Sequence, residues 1–145
     1  MKLVIGSLEG EHLALEPVDP EWKTHVDPGR DQDYWWIRCA VDASANGFRG
    51  SVQGSLLVEE LRQLRDGLIR LRGEPTSSAG LDALEAWLFI HLRGDRLGHV
   101  RASCEVRDDT QGTRLTFELN LDQTYLLPMI HELDDMLDGI PMARP

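Results

Sequence analysis

The strongest metal-ligand spacing in the chain is the group His131, Asp134 and Asp135. Positions i, i+3 and i+4 share one face of a helix, and imidazole and carboxylate ligands suit several divalent cations. The same acids also continue the polar side of an amphipathic helix, and we favour that interpretation. No nucleotide-binding, zinc-protease or serine-hydrolase motif occurs, so we predict no metal, no cofactor and no catalytic residue.

His91 and His99 are the other candidates for acid–base chemistry, and they flank the turn signal Gly94-Asp95. A two-residue turn there places the two imidazoles on opposite faces of the sheet, so we expect no shared site. An enzyme or small-molecule binder that uses His91 or His131 is an alternative. It requires a pocket with convergent polar groups, and a deep cavity lined by His99, Arg101 and Asp or Glu partners would favour it.

Cys39 and Cys104 are the only cysteines, and neither belongs to a C-x-x-C motif. Each falls in a row of alternating apolar residues, so we expect two buried, unreactive thiols. The first six residues, Met1 to Gly6, lack the apolar run of a secretory signal. We therefore predict a cytoplasmic protein with reduced cysteines.

The charge is acidic and unevenly distributed, with 15 basic and 25 acidic residues giving a net charge of −10. Residues 9–33 carry eight acids and two bases, and residues 118–138 carry six acids and no Lys or Arg. Such a surface disfavours nucleic-acid phosphates and anionic membranes as partners. Either the two blocks simply keep the protein soluble, or they complement a basic protein.

The spacing of apolar residues predicts which strands and helices position these residues. Period-2 patterns predict strands at residues 1–6, 12–17, 34–43 and 48–56, followed by a leucine helix that Gly73 and Pro75 end. Residues 74–80 are predicted to be a turn-rich connector. Three more strands are predicted at 83–93, 97–107 and 115–121, and a last helix begins at Asp122 to Thr124. Gly50 and Gly54 share a strand face, which indicates a bulge or the close approach of another element.

These elements predict an α+β fold with a largely antiparallel sheet of about seven strands and two packed amphipathic helices. The 145 residues are enough for one domain, so we predict a single domain over 1–145 with a long acidic loop at 18–33.

Aromatic residues occupy the nominally outer faces of two predicted strands. Trp36 lies on the face of its strand opposite the alternating apolar residues. Trp87 and Phe89 lie on the corresponding face of their strand. Such rings are either covered by a helix or loop, or left for a partner. Where they are exposed, they would be natural interface anchors.

Several short sequence motifs, in a fixed order along the chain, resemble those of the WapI-type immunity family. They are Trp35-Trp36-Ile37-Arg38, Phe48-Arg49-Gly50-Ser51, Gly98-His99-Val100, Arg107-Asp108-Asp109 and Leu121-Asp122-Gln123-Thr124-Tyr125-Leu126. The resemblance spans about Trp35 to Leu137. Family members are small bacterial proteins encoded beside polymorphic contact-dependent toxins, or uncharacterised orphans, and the family supplies no catalytic residues. The resemblance implies a cytoplasmic, non-enzymatic binder that neutralises a toxin.

The leading hypothesis is therefore an inhibitor that occludes a basic, nuclease-type toxin with acidic side chains. An interaction module or homo-oligomer built on the aromatic strand face is the alternative. The candidate partner-binding residues are Asp27, Asp31, Asp33, Glu132, Asp134, Asp135, Asp138, Trp36, Trp87 and Phe89.

Overall fold

The computed structural model describes residues 1–19, 35–108 and 112–140. Within these ranges, no helix is long and apolar enough to cross a membrane.

The first half of the chain forms a four-stranded antiparallel sheet whose strands follow chain order. They are β1 (Leu3–Gly6), β2 (His12–Asp19), β3 (Trp36–Ala45) and β4 (Phe48–Leu57). The predicted alternation of β3 is confirmed, because Ile37, Cys39 and Val41 are buried on one face. The β3–β4 turn contains Asn46 with φ 55°, a conformation that asparagine tolerates. Strand β2 continues to Asp19, so the predicted loop at 18–33 loses its first two residues to the sheet.

Helix α1 (Val58–Gly73) follows β4 directly and buries the predicted leucine stripe. Its start is fixed by Glu60, whose carboxylate accepts the Leu57 N–H at 2.7 Å and the Leu84 N–H at 2.8 Å. Burial raises the pKa of Glu60, and the two backbone hydrogen bonds oppose that rise. A single buried carboxylate therefore ties the first turn of α1 to a turn in the second half of the chain.

The second half forms another four-stranded antiparallel sheet, again in chain order. Its strands are β5 (Ser78–Asp82), β6 (Leu88–Gly94), β7 (His99–Asp108) and β8 (Thr113–Asp122). Two predictions need correction. The segment 74–80, predicted to be a connector, contains the start of β5. Residues 83–87, predicted to begin a strand, form a turn that the Ala83 N–H closes on the Leu88 carbonyl at 3.0 Å.

Strand β5 was not predicted because its small residues do not produce a clear apolar alternation. A Cβ on Gly67 of α1 would lie 2.8 Å from the Cβ of Ala79, so helix and strand touch where neither has a larger side chain. Gly80 is similarly covered by the ring of His91, whose Nδ1 lies 2.9 Å from a Cβ built there. Close packing on both sides of β5 thus selects small residues that carry little strand signal.

The last helix begins close to the predicted position. The Asp122 carboxylate accepts the Thr124 N–H at 2.8 Å and caps a short 3₁₀ turn, Gln123–Tyr125. Helix α2 (Leu126–Asp138) continues from it, with its apolar stripe buried against α1 and β1.

Buried residues from both sheets and both helices form one hydrophobic cluster. The α+β class, the antiparallel pairing and the two packed helices are confirmed, and the described residues contain eight strands in two sheets in place of about seven in one. The predicted close approach at Gly54 is also confirmed, because the Trp87 ring lies directly on it. No heavy atom lies within 4 Å of a Cβ built on Gly50.

Candidate functional site

The acidic residues of α2 divide into two groups by their contacts. Glu132 is half-buried and accepts the Val4 N–H of β1 at 3.3 Å. Burial raises the pKa of Glu132, the Val4 hydrogen bond lowers it and the neighbouring charge of Asp135 raises it. Asp134 lies 3.4 Å from the guanidinium of Arg65 on α1. Both carboxylates therefore serve contacts within the chain.

Asp135 and Asp138 are exposed, and within the described part of the chain no hydrogen bond or ion pair engages either side-chain carboxylate. His131, one turn before Asp135, is exposed on the same side of α2. These three residues define the acidic helix face. Asp27, Asp31 and Asp33 lie outside the described residues.

His131, Asp134 and Asp135 do not form a metal centre in the structure. Across residues 1–19, 35–108 and 112–140, no three His, Cys, Asp or Glu side chains are grouped closely enough to hold an ion.

The three candidate aromatic residues have different environments. The Trp36 side chain is 42% exposed at the start of β3, so it remains available as an anchor. Trp87 is only 4% exposed, and its indole Nε1 donates to the Ser55 carbonyl at 2.9 Å. Its proposed role as an anchor needs correction, since the ring fills the space between the two sheets. Phe89 is half-buried, with the Arg107 guanidinium 4.9 Å from its ring centroid.

The outer face of the second sheet carries a polar surface that the sequence did not reveal. Residues at directly opposed positions in neighbouring strands share a face. Arg93 of β6 pairs with Arg101 of β7, Ser78 of β5 with Arg93, and Asn120 of β8 with Arg101. These four residues cross the whole sheet, are all exposed and define the arginine row.

His91 and His99 lie on this same exposed face, which corrects the prediction that they point in opposite directions. The turn between β6 and β7 is longer than two residues, because β6 continues to Gly94 and β7 begins at His99. Asp95 stabilises the longer turn by accepting the Leu97 N–H at 2.8 Å and the His99 N–H at 3.0 Å. Those backbone hydrogen bonds, led by the one from His99, lower the pKa of Asp95. The register shifts by an odd number of residues, and one histidine changes face.

Each imidazole is positioned by its own carboxylate. His91 Nε2 lies 2.8 Å from Asp82 Oδ1, and its ring leans over Gly80 toward the edge strand β5. His99 Nδ1 lies 3.0 Å from Asp95 Oδ2, at the end of the hairpin. The histidines therefore flank the arginine row without contacting each other through a common acid.

The arginine row lines an open cavity of about 710 Å³ on the outer face of the second sheet. The polar side chains around it are Ser78, His91, Arg93, His99, Arg101 and Asn120. His99, Arg101 and Asp95 lie in its wall, as the small-molecule alternative requires, but the cavity is open and not deep.

The cysteines carry no comparable chemistry. Cys39 and Cys104 are both buried free thiols. Burial raises the pKa of each to about 12, against an ordinary value of 9.0. The prediction that both thiols are buried is confirmed.

Comparison with protein families supplies one match and one negative result. The family model for the Immunity protein WapI-like family matches residues 4–141 of the chain. No significant match is found among curated proteins.

Proposed function

Because the chain belongs to the WapI-like immunity protein family, we propose that it binds a cognate toxin and neutralises it by occlusion. The observation that carries this proposal is the family match, which covers residues 4–141 of 145. The proposed action is stoichiometric binding without catalysis, in the cytoplasm of a bacterium. Two buried thiols without a disulfide among the described residues agree with a reducing compartment.

The acidic helix face is the proposed contact for a basic toxin. The carboxylates of Asp135 and Asp138 are exposed and make no hydrogen bond or ion pair with described residues, so their charges are available to a partner. The net charge of −10 adds a long-range attraction for a basic protein. A toxin that binds nucleic acid needs a basic surface for the phosphates, and an acidic inhibitor placed there would exclude its substrate. A nuclease-type toxin therefore fits this surface best.

Co-expression with the toxin encoded by the neighbouring gene tests the proposal, with growth as the first measurement. The purified pair is then compared by calorimetry or biolayer interferometry at several salt concentrations. The double variant Asp135→Lys/Asp138→Lys is expected to weaken binding about tenfold or more at low salt, mainly through slower association. Glu74→Lys/Glu85→Lys makes the same charge change at two other exposed positions and is the matched control.

Growth rescue together with binding that depends on salt and on Asp135 and Asp138 supports both the function and the surface. Rescue with affinity unaffected by salt and by these reversals keeps the immunity function and rejects the acidic helix face. Lack of rescue and of binding rejects the function.

Trp36 favours a second candidate function, an interaction module or homo-oligomer built on the first sheet. Its indole is 42% exposed, and tryptophan is enriched among the residues that carry most of the binding energy of interfaces. Sedimentation or light scattering of the purified protein tests it. A dimer that Trp36→Ala converts to a monomer supports the module, and a monomer over the full concentration range rejects the homo-oligomer.

A further inference from the structure

We propose that the arginine row is a binding site for a small oxyanion, either a phosphate ester or a carboxylate-rich metabolite. This site is independent of the proposed toxin contact on α2. Its ligand would lie across the centre of the second sheet, between the two guanidinium groups.

The first support is the juxtaposition of two like charges. Arg93 and Arg101 occupy directly opposed positions on adjacent strands, where side chains start about 4.5–5.5 Å apart. Like charges directly opposed destabilise a sheet, so the arginine pair carries an electrostatic cost when nothing lies between the two guanidinium groups. An oxyanion between the guanidinium groups removes the repulsion and lets each donate a forked pair of hydrogen bonds.

The second support is that the arginines are available. Among the described residues, no carboxylate lies within ion-pair distance of Arg93. Arg101 has one distant partner, Glu118, at 3.8 Å, and its side chain is 66% exposed.

Two further carboxylates near the row are engaged in contacts of their own. Asp95 lines the cavity, but it accepts hydrogen bonds from the backbone of its own turn and contacts the His99 ring. Asp82, behind His91, is likewise held by that imidazole at 2.8 Å. Among the described residues only Glu118 lies within ion-pair distance of the two arginines, so the guanidinium pair keeps a net positive charge.

The third support is that the remaining members of the row are short hydrogen-bonding groups. The Ser78 hydroxyl and the Asn120 amide flank the two arginines on the outer strands, and both residues line the cavity. Hydroxyl and amide groups at the rim of an arginine pair are suitable for the polar substituents of a small metabolite. A cavity of about 710 Å³ has room for such a molecule.

Backbone-amide NMR of the ¹⁵N-labelled protein tests the site. Citrate and ribose 5-phosphate are titrated separately, with ionic strength held constant by potassium chloride. We expect saturable shifts confined to amides around residues 78, 93, 101 and 120. Arg93→Gln and Arg101→Gln should each weaken the apparent affinity about tenfold. The double variant Arg49→Gln/Arg72→Gln removes two exposed charges elsewhere and should bind as the wild type does.

The double variant Arg93→Lys/Arg101→Lys distinguishes the effect of charge from that of hydrogen-bond geometry. It keeps both positive charges but cannot form the bidentate hydrogen bonds of a guanidinium group. Intermediate weakening by this variant supports bidentate recognition. Saturation by citrate alone or by ribose 5-phosphate alone assigns the ligand to carboxylates or to phosphate esters. The proposal is overturned if neither compound saturates, if potassium chloride produces the same shifts, or if the Arg49/Arg72 control loses as much affinity. Loss of toxin binding does not affect these results, so the two proposals fail separately.

Discussion

Replacing Gly54 with alanine adds a single methyl group at the most crowded glycine between the two sheets. The new Cβ would lie 2.3 Å from Trp87 Cε2 and 2.6 Å from Trp87 Nε1. Carbon atoms in ordinary contact are about 3.5–4.0 Å apart, so the indole must move by roughly 1 Å or more. It is 4% exposed and donates to the Ser55 carbonyl at 2.9 Å, so the displacement disturbs both packing and a hydrogen bond.

Overpacking of this kind costs about 1–3 kcal/mol, and a weakened hydrogen bond adds about 0.5–1.5 kcal/mol. We therefore expect Gly54→Ala to lower the free energy of unfolding by about 2–4 kcal/mol. Gly50→Ala is the matched control, because Gly50 lies in the same strand and no heavy atom lies within 4 Å of its Cβ position. Neither glycine has a positive φ, so alanine at Gly50 should be neutral or stabilise the fold by about 0.4–1 kcal/mol.

Equilibrium unfolding in urea, followed by far-UV circular dichroism, measures both variants. A double-mutant cycle with Trp87→Leu assigns the cause, since Gly54→Ala should cost less once the indole is gone. The expected coupling between the two substitutions is about 1 kcal/mol or more. Equal stability of Gly54→Ala and Gly50→Ala, together with zero coupling, would refute this packing of the two sheets.

Two further predictions concern buried groups. Glu60 has a raised pKa in the folded protein, so its stabilising contribution is fully present below the ordinary value of 4.5 and is lost as the pH rises through the raised value. The stability advantage of the wild type over Glu60→Gln, measured by urea unfolding from pH 4.5 to 7.5, should shrink as the pH rises. A constant advantage would show that Glu60 does not titrate differently in the fold. Cys39 and Cys104 have a pKa of about 12, so neither should react with a thiol reagent at pH 7 until the protein unfolds. Rapid modification of either thiol in the folded state would contradict their burial.

The sequence predicted those elements whose period is long and whose side chains are large. Helix α1 was found because leucines recur every three or four residues and Gly73 ends the pattern. Strand β3 was found because apolar residues alternate at Ile37, Cys39 and Val41. In both cases the local pattern and the packed core require the same residues, so local reasoning was sufficient.

In strand β5 the local sequence pattern and the packed core do not require the same residues. Ala79 and Gly80 are small because α1 packs against one and the His91 ring covers the other. These requirements come from residues distant in the chain, and their effect is to remove the large alternating side chains from which a strand is recognised. Tertiary packing thus erased the local signal.

The β6–β7 hairpin shows how one turn controls a site. The dipeptide Gly94-Asp95 suggested a two-residue turn, yet Asp95 uses its carboxylate to bind the N–H groups of Leu97 and His99 and so closes a longer one. Gly98 completes that turn with φ +88°. In the structure the apolar residues of each strand alternate inward, which leaves both histidines on the outer face. An aspartate that begins a turn therefore needs to be considered as a hydrogen-bond acceptor before a register is assigned.

The same reasoning limits what charge counting says about binding. Six acids between residues 118 and 138 form one acidic block in the sequence, but in the fold most of their side chains make separate contacts within the chain. Glu118 approaches Arg101, Asp122 caps the 3₁₀ turn, and Glu132 holds the edge of β1. Only two acids of the block, on the acidic helix face, remain unengaged by described residues. Because a charge that stabilises the fold is not free to attract a partner, an interface is better sought among the charges that the structure leaves unused than where charges are most numerous.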